Sequence, residues 1–277
     1  MPFDIETYLN SLPNDTTEID VSKKGLTYLP NLSRFKNLKK LNCPSNQLTS
    51  LPPLNEKLLA LNCNNNELSS LPPLNKNLEV LFCYNNELSS LPPLNENLRI
   101  LFCNNNELTS LPHLNDKLKH LICDNNLLTS LPKLNENLLY LFCYKNQLTS
   151  LPKLNEKLEY LRCDNNQLTS FPPLNDRLRY LHWDKNSIYN LLISIINLDG
   201  KLNLKNDYLN NDFKKLNKIL KIINKFRNMY YQLKFKKHFI KWLWKSKEKQ
   251  IAERYHPKYL LENLDDNTDL DEFLNNW

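Results

Sequence analysis

The amino-acid sequence predicts an α/β chain, in which a solenoid built on a parallel β-sheet precedes a mostly α-helical C-terminal domain. A 20-residue pattern runs without insertion from Leu38 through seven periods to residue 177, and an eighth period breaks off after Asn186. Beyond that point the period stops and the composition becomes strongly basic. Such self-similarity is typical of solenoids, in which each unit leaves an apolar face that only its neighbours cover.

Each period contains the segment LxLxC, in which apolar residues alternate with variable ones. This alternation predicts a half-buried strand, with Leu41 and Cys43 facing inward and Asn42 and Pro44 facing outward. Stacked units would place eight such strands side by side in a parallel sheet, about 4.8 Å apart. The leucines that follow each strand are expected to fill the interior behind the sheet.

Proline and asparagine recur at fixed places in the unit. The Leu-Pro pair, as at Leu51 and Pro52, predicts an extended or polyproline-like return arm, because proline ends a helix and lacks an amide donor. An asparagine follows each predicted strand, and its carboxamide can pair with backbone groups that stacking would bury. These asparagines are predicted to form a ladder, at positions 46, 66, 86, 106, 126, 146, 166 and 186.

The pattern LxxLxCxxNxLxxLPxLxxx resembles the leucine-rich repeat, and its LPxL motif is similar to the short class found in bacterial effector proteins. The resemblance covers about residues 16–189. It implies a sheet on a concave face and extended or polyproline-like arms on a convex face. Residues 19–37 fit as a longer, divergent first unit, with Lys24 where the ladder asparagine belongs, and residues 2–12 are expected to form a preceding helix.

The predicted organisation has three parts. Residues 1–37 form an N-terminal cap with the divergent first repeat, residues 38–189 form the leucine-rich repeats, and residues 190–277 form a basic helical domain with an acidic tail. The opening segment lacks the apolar core of a signal peptide, and no stretch reaches the roughly 18 apolar residues of a membrane span. We therefore expect a cytoplasmic protein, in a host cell or a virion if viral, that is neither secreted nor transmembrane.

All seven cysteines occupy the same inward position of the repeat, and none follows Cys163. An odd number of parallel thiols cannot pair fully, and the sequence lacks the clustered CxxC or histidine partners of zinc sites. This pattern favours buried thiols in a reducing compartment over a metal or redox relay. No metal and no cofactor is predicted, and the two glycines of the chain exclude the GxGxxG and P-loop motifs.

Catalysis is not predicted, and no small-molecule substrate is expected. Bacterial effectors of this repeat class sometimes carry a ubiquitin ligase domain with a nucleophilic cysteine after the repeats, and this chain has no cysteine there. The histidines belong to no HExxH or nucleophile-elbow motif. His182 near Asp164 and Asp184 is the one polar constellation expected on the sheet, and no nucleophile accompanies it.

The outward positions of the repeat predict a binding surface. Aromatic and aliphatic residues occupy them in successive units, which would expose a continuous patch of about 400–600 Å². Asp124, Asp164 and Asp184 would add a partly acidic rim, as in many protein interfaces. Cross-strand stacking for stability alone is the alternative interpretation. The predicted protein-binding residues are Val80, Phe82, Tyr84, Ile100, Phe102, Ile122, Tyr140, Phe142, Tyr144, Tyr160 and Tyr180.

These features together predict a non-enzymatic protein–protein interaction scaffold that binds a host or viral protein on its concave face. The alternative is a membrane-surface or nucleic-acid-associated factor that acts through basic C-terminal helices. Residues 213–249 contain 13 lysines and arginines against one acidic residue, with apolar residues at helical spacing. Their apolar face could be covered by neighbouring helices of the same domain, by an anionic membrane or by nucleic acid.

A second resemblance concerns the C-terminal end. The segment WKSKEKQIAERYHPKYL is similar to a short motif in uncharacterised proteins of giant double-stranded DNA viruses of the mimivirus type. The chain as a whole resembles uncharacterised leucine-rich repeat proteins of those viruses. A high content of asparagine and lysine is also typical of chains from AT-rich genomes of that kind. The resemblance implies a viral origin and no mechanism.

Overall fold

The computed structural model describes residues 3–187, which form a parallel β-solenoid. One helix, α1 (Ile5–Ser11), precedes nine three-residue strands. All nine strands lie in one parallel sheet, and their order in the sheet is their order in the chain. The strands are β1 (Glu18–Asp20), β2 (Lys40–Asn42), β3 (Ala60–Asn62), β4 (Val80–Phe82), β5 (Ile100–Phe102), β6 (His120–Ile122), β7 (Tyr140–Phe142), β8 (Tyr160–Arg162) and β9 (Tyr180–His182).

Helix α1 confirms the helix expected within residues 2–12. The carboxylate of Asp4 caps it by accepting hydrogen bonds from the backbone amides two and three residues later, at 3.0 and 3.2 Å. Ile5 and Leu9 are buried in the same core as the repeats. The hydroxyl of Tyr8 donates to the backbone carbonyl of Asp20 at 3.4 Å, so the helix packs beside β1.

The prediction of eight strands is wrong by one, because β1 also joins the sheet. Glu18 pairs with Lys40, an offset of 22 residues, whereas later strands pair at an offset of 20, as Val80 does with Ile100. The longer spacing breaks the 20-residue period, so the count of strands from Leu38 onward omits β1. The alternation is present, because Ile19 and Val21 are buried as Leu41 and Cys43 are, in line with the divergent first unit expected at residues 19–37.

The core lies behind the sheet. It confirms the prediction that the leucine and cysteine of each LxLxC segment face inward. The middle residue of every strand is buried, and so is the cysteine that follows β2 to β8. All seven cysteines are free thiols. Burial raises the pKa of Cys43 to about 12 and the pKa of the others well above the ordinary thiol value.

The asparagine ladder is present, and Asn106 shows its chemistry. Its Nδ2 atom donates to the carbonyl oxygens of Cys83 and Cys103, both at 3.1 Å, and so bridges two successive repeats. Its Oδ1 atom accepts from the backbone amide of Leu88 at 3.0 Å. The same three contacts recur at each ladder position from Asn66 to Asn186.

A second asparagine ladder runs along the return arms, and the sequence reasoning missed it. Asn115 Nδ2 donates to the carbonyl of Asn95 at 2.7 Å, and Asn135 Nδ2 donates to the carbonyl of Asn115 at 2.7 Å. Its signal was the asparagine that follows each LPxL motif from Leu51 onward. No helix or strand lies between successive strands of the described repeats, as expected for extended arms.

A left-handed residue precedes each ladder position. Its φ lies between 50° and 56°, a region that asparagine tolerates better than most side chains. Lys23 and Ser45 both have φ of 56°, which confirms that Lys24 takes the ladder position of the first unit. Lys24 lacks a carboxamide and contributes its backbone amide, which donates to Asn46 Oδ1 at 3.0 Å. The ladder proper therefore starts at Asn46.

Replacing Asn106 with alanine should lower the free energy of unfolding by about 3 kcal/mol, because three backbone groups lose their partner at roughly 1 kcal/mol or more each. Urea unfolding followed by circular dichroism measures the change. Glu107→Ala, at the exposed neighbouring position, is the matched control and should stay within about 0.5 kcal/mol of wild type. Equal stability of the two variants would contradict a bridging role for the carboxamide.

The buried thiols should make the protein less stable in alkali. Burial raises the pKa of Cys103, so above about pH 8.5 the unfolded chain loses a proton that the folded chain keeps. The free energy of unfolding should keep the full contribution of these thiols below that pH. Above it, the free energy of unfolding should fall by up to about 1.4 kcal/mol per pH unit for each such thiol. Urea unfolding of wild type and Cys103→Ala, between about pH 7 and about pH 10, should give a shallower decline for the variant. Parallel declines would show that this thiol is not buried in solution.

Candidate functional site

The sheet register aligns the first and third residues of successive strands into two columns, and these columns on β4 to β9 are called here the outer face. In the first column Val80 pairs with Ile100, and in the second Phe82 pairs with Phe102. The first continues with His120, Tyr140, Tyr160 and Tyr180, and the second with Ile122, Phe142, Arg162 and His182. Nine of the eleven predicted binding residues therefore lie in these columns, and Tyr84 and Tyr144 follow strands β4 and β7.

All eleven predicted binding residues are half-buried. The middle residue of each strand is buried, which confirms that the two columns lie on the other side of the sheet from the core. Among residues 3–187, the large apolar side chains with the greatest exposure lie elsewhere, at Tyr28, Leu59 and Leu127. The outer face thus consists of rings that cover part of one another.

Contacts between neighbouring rings explain this partial burial. The ring centroids of Phe82 and Phe102 are 4.8 Å apart, and those of Tyr140 and Tyr160 are 4.5 Å apart with the planes within 4°. His120 lies 4.5 Å from Tyr140 on the other side. Aromatic pairs at such separations stabilise a sheet beyond their buried area. Cross-strand stacking therefore accounts for part of what these residues do.

The acidic rim expected from the sequence is wrong for two of its three members. Asp124 and Asp164 are buried, at 3% and 1% exposure. Asp164 accepts hydrogen bonds from Arg162 Nε at 2.9 Å and Asn165 Nδ2 at 2.7 Å, and it contacts His182 Nδ1 at 2.8 Å. Burial alone would raise the pKa of Asp164, but these hydrogen bonds outweigh it and hold that pKa below its ordinary value.

Tyr144 is held by two neighbours that the sequence did not connect to it. Burial raises the pKa of Asp124, and a hydrogen bond from the Tyr144 side chain offsets part of that rise. The guanidinium of Arg162 lies 3.8 Å from the centre of the Tyr144 ring, a cation–π contact. The signal for this cluster was the Arg-x-Asp sequence of β8 beside a tyrosine one repeat earlier. Tyr144 is therefore less free to contact a partner than the other predicted residues.

The constellation of His182, Asp164 and Asp184 is present. His182 Nδ1 lies 2.8 Å from Asp164 Oδ1, and His182 Nε2 lies 3.6 Å from Asp184 Oδ1. Asp184 is half-buried and lies at the end of the outer face. Imidazole and carboxylate groups in this arrangement can share protons or bind a cation.

The chain matches no protein-family model and no curated protein. It does resemble solved leucine-rich-repeat structures. YopM, a leucine-rich effector protein from Yersinia pestis, is 34% identical with a TM-score of 0.59, over 61% of this chain and 49% of that one. YopM from Yersinia enterocolitica is 31% identical with a TM-score of 0.55, over 63% and 43%. The leucine-rich-repeat domain of a Shigella effector is 29% identical with a TM-score of 0.48, over 71% and 80%.

The fold is a leucine-rich-repeat solenoid. This confirms the leucine-rich-repeat fold predicted from the sequence, although the chain spans less than half the length of the two YopM chains. No helix among residues 3–187 is long and apolar enough to cross a membrane. The predicted helical domain, the basic segment 213–249 and the segment that resembles giant-virus proteins lie outside the described residues, and those predictions stay untested.

Proposed function

We propose that this leucine-rich-repeat chain is a non-enzymatic scaffold that binds a protein partner through the outer face, the face expected to be concave. The observation that carries the proposal is the run of mainly apolar and aromatic side chains in two adjacent columns. It extends over four consecutive strands, β4 to β7, with His120 as the one polar member. Solenoids commonly use such an extended sheet surface for binding.

Polar residues border this run at both ends, which supports the proposal. On β3, next to the run, the columns hold Ala60 and Asn62, and on β2 they hold Lys40 and Asn42. On β8 and β9 the second column holds Arg162 and His182. An apolar centre with polar surroundings is the usual organisation of a protein interface. The aromatic side chains that dominate the centre are also those enriched among the residues that contribute most to binding.

The stacking of the rings favours binding as well as stability. A side chain that is already fixed by its neighbours loses little conformational freedom when a partner covers it. The centroid distance of 4.8 Å between Phe82 and Phe102 shows such a fixed pair. The outer face would therefore meet a partner as a preformed surface.

The buried thiols support a cytoplasmic location. All seven cysteines are free, and the sheet holds them in parallel in the core. Free thiols in this number are typical of proteins in reducing compartments. A protein partner from the cytoplasm of the cell in which the chain is made fits this location.

A second candidate function rests on the basic segment. Residues 213–249 carry 13 lysines and arginines against one acidic residue, which favours binding to an anionic membrane or a nucleic acid. In that case the repeats would serve as a spacer, and loss of residues 201–277 would remove localisation while leaving the outer face intact.

The double variant Phe102→Asp with Phe142→Asp should lose partner capture by at least about tenfold while it stays folded, because buried carboxylates without partners oppose binding. The matched control is Ser110→Asp with Ser130→Asp, which adds the same charge at exposed positions outside the strands. Affinity capture with quantitative mass spectrometry compares both with wild type, and circular dichroism verifies folding.

Two results would contradict the proposal. Equal recovery of the same partner by both double variants would remove the outer face from the binding surface. Concentration-dependent dimerisation of wild type in sedimentation velocity, abolished by the phenylalanine variant, would instead assign the face to a second copy of this chain.

A further inference from the structure

His182 of β9 lies between two aspartates at the end of the outer face. Its Nδ1 atom is 2.8 Å from Oδ1 of Asp164, and its Nε2 atom is 3.6 Å from Oδ1 of Asp184. The potential metal-binding atoms of these three side chains all lie within 4.8 Å of one another. The two carboxylates differ sharply in their surroundings, and that difference determines what the imidazole between them can do.

Asp164 is fully supplied with hydrogen-bond donors. Its side chain is 2% exposed, and it accepts from Arg162 Nε at 2.9 Å and Asn165 Nδ2 at 2.7 Å. A carboxylate in contact with a guanidinium is an anion and can only accept hydrogen bonds. The hydrogen between Asp164 and His182 therefore belongs to Nδ1 of the imidazole. A neutral imidazole in this tautomer presents its lone pair at Nε2.

Asp184 lacks such support. Its Oδ1 atom is buried and has no hydrogen-bond partner within residues 3–187. In the same part of the chain, its only ion-pair contact is with His182. When the imidazole is neutral, two acceptors, Nε2 and Oδ1, face each other, an arrangement that a positive charge between them stabilises. The separation of 3.6 Å is longer than the roughly 3.2 Å of an N–H···O hydrogen bond, so no direct hydrogen bond joins these two atoms.

A metal ion accounts for this spacing. We propose that His182 Nε2 and Asp184 Oδ1 bind a divalent transition-metal ion, with Zn²⁺ as the best-fitting chemistry. Zinc binds imidazole nitrogen and carboxylate oxygen at about 2.0–2.2 Å in tetrahedral geometry, which places two ligand atoms about 3.3 Å apart. The observed separation of 3.6 Å is close to that value. Water would complete the coordination.

Asp164 has the role of a positioning residue at this site. A histidine that binds zinc commonly donates its other ring N–H to a carboxylate, which fixes the ring and its tautomer. Arg162 balances the charge of Asp164 and lies 3.8 Å from the Tyr144 ring, in the preceding repeat. The guanidinium of Arg162 thus pairs with Asp164, and the carboxylate of Asp184 is available to bind the metal. This site is independent of the protein-binding role of the outer face.

Isothermal titration of Zn²⁺ into chelator-treated full-length protein tests the site. His182→Gln and Asp184→Asn should each weaken one zinc-binding event by at least about tenfold, and Asp164→Asn should weaken it by about 10- to 100-fold. Asp176→Asn removes an equal charge at an exposed position of the repeat that contains Asp164 and should leave binding unchanged. Wild-type affinity in both His182→Gln and Asp184→Asn, or no zinc binding by wild type, would overturn the proposal.

Nitrogen-15 NMR of the imidazole gives a second reading that does not depend on the folding of a variant. Without metal, His182 should carry its hydrogen on Nδ1, and Zn²⁺ should shift its Nε2 resonance. The loss of one signal in His182→Gln assigns the resonance. A His182 signal that zinc leaves unchanged would overturn the proposal.

Discussion

The buried asparagine carboxamide that bridges successive repeats is the interaction on which the rest of this structure depends. Asn106 donates to carbonyl groups of two repeats and accepts from the amide of Leu88, so one side chain satisfies three buried backbone groups. A strand of three residues is too short to fix its own register by ladder hydrogen bonds alone. The carboxamide adds the missing constraint, because it fits only when the next unit is offset by one full period.

The surface columns follow from this register. Because Val80 pairs with Ile100 and Phe82 with Phe102, the variable positions of the repeat become continuous rows rather than scattered side chains. The rows then acquire two properties that no single repeat has, stacked rings in the centre and a polar cluster at the C-terminal end. The proposed protein-binding surface therefore results from the stacking of many similar units in one register. The proposed zinc site results from the particular residues that the last units carry at the outward positions.

The sequence predicted the parts of the structure that repeat and missed parts that depend on individual neighbours. The columns, the inward cysteines and the first asparagine ladder all follow from a 20-residue period. The predicted strand count omitted β1 because β1 pairs with β2 at an offset of 22 residues instead of 20. The repeat pattern places Asp164 beside the outward residues and so did not predict its burial. The buried carboxylate is stabilised by hydrogen bonds from Arg162 and Asn165, which the pattern does not specify. The second ladder, seen at Asn115, was as regular as the first and could have been found.

Native-state hydrogen exchange tests the bridging role of the ladder most directly. The leucine amides that donate to ladder side chains belong to buried residues outside the strands, and the ladder carboxamide is their hydrogen-bond acceptor. The account predicts that they exchange as slowly as the cysteine amides that bond to the next repeat, in one cooperative unit. Exchange at the rate of an open loop, with the cysteine amides still protected, would contradict it. The amides to follow are those of Leu68, Leu88, Leu108, Leu128, Leu148 and Leu168.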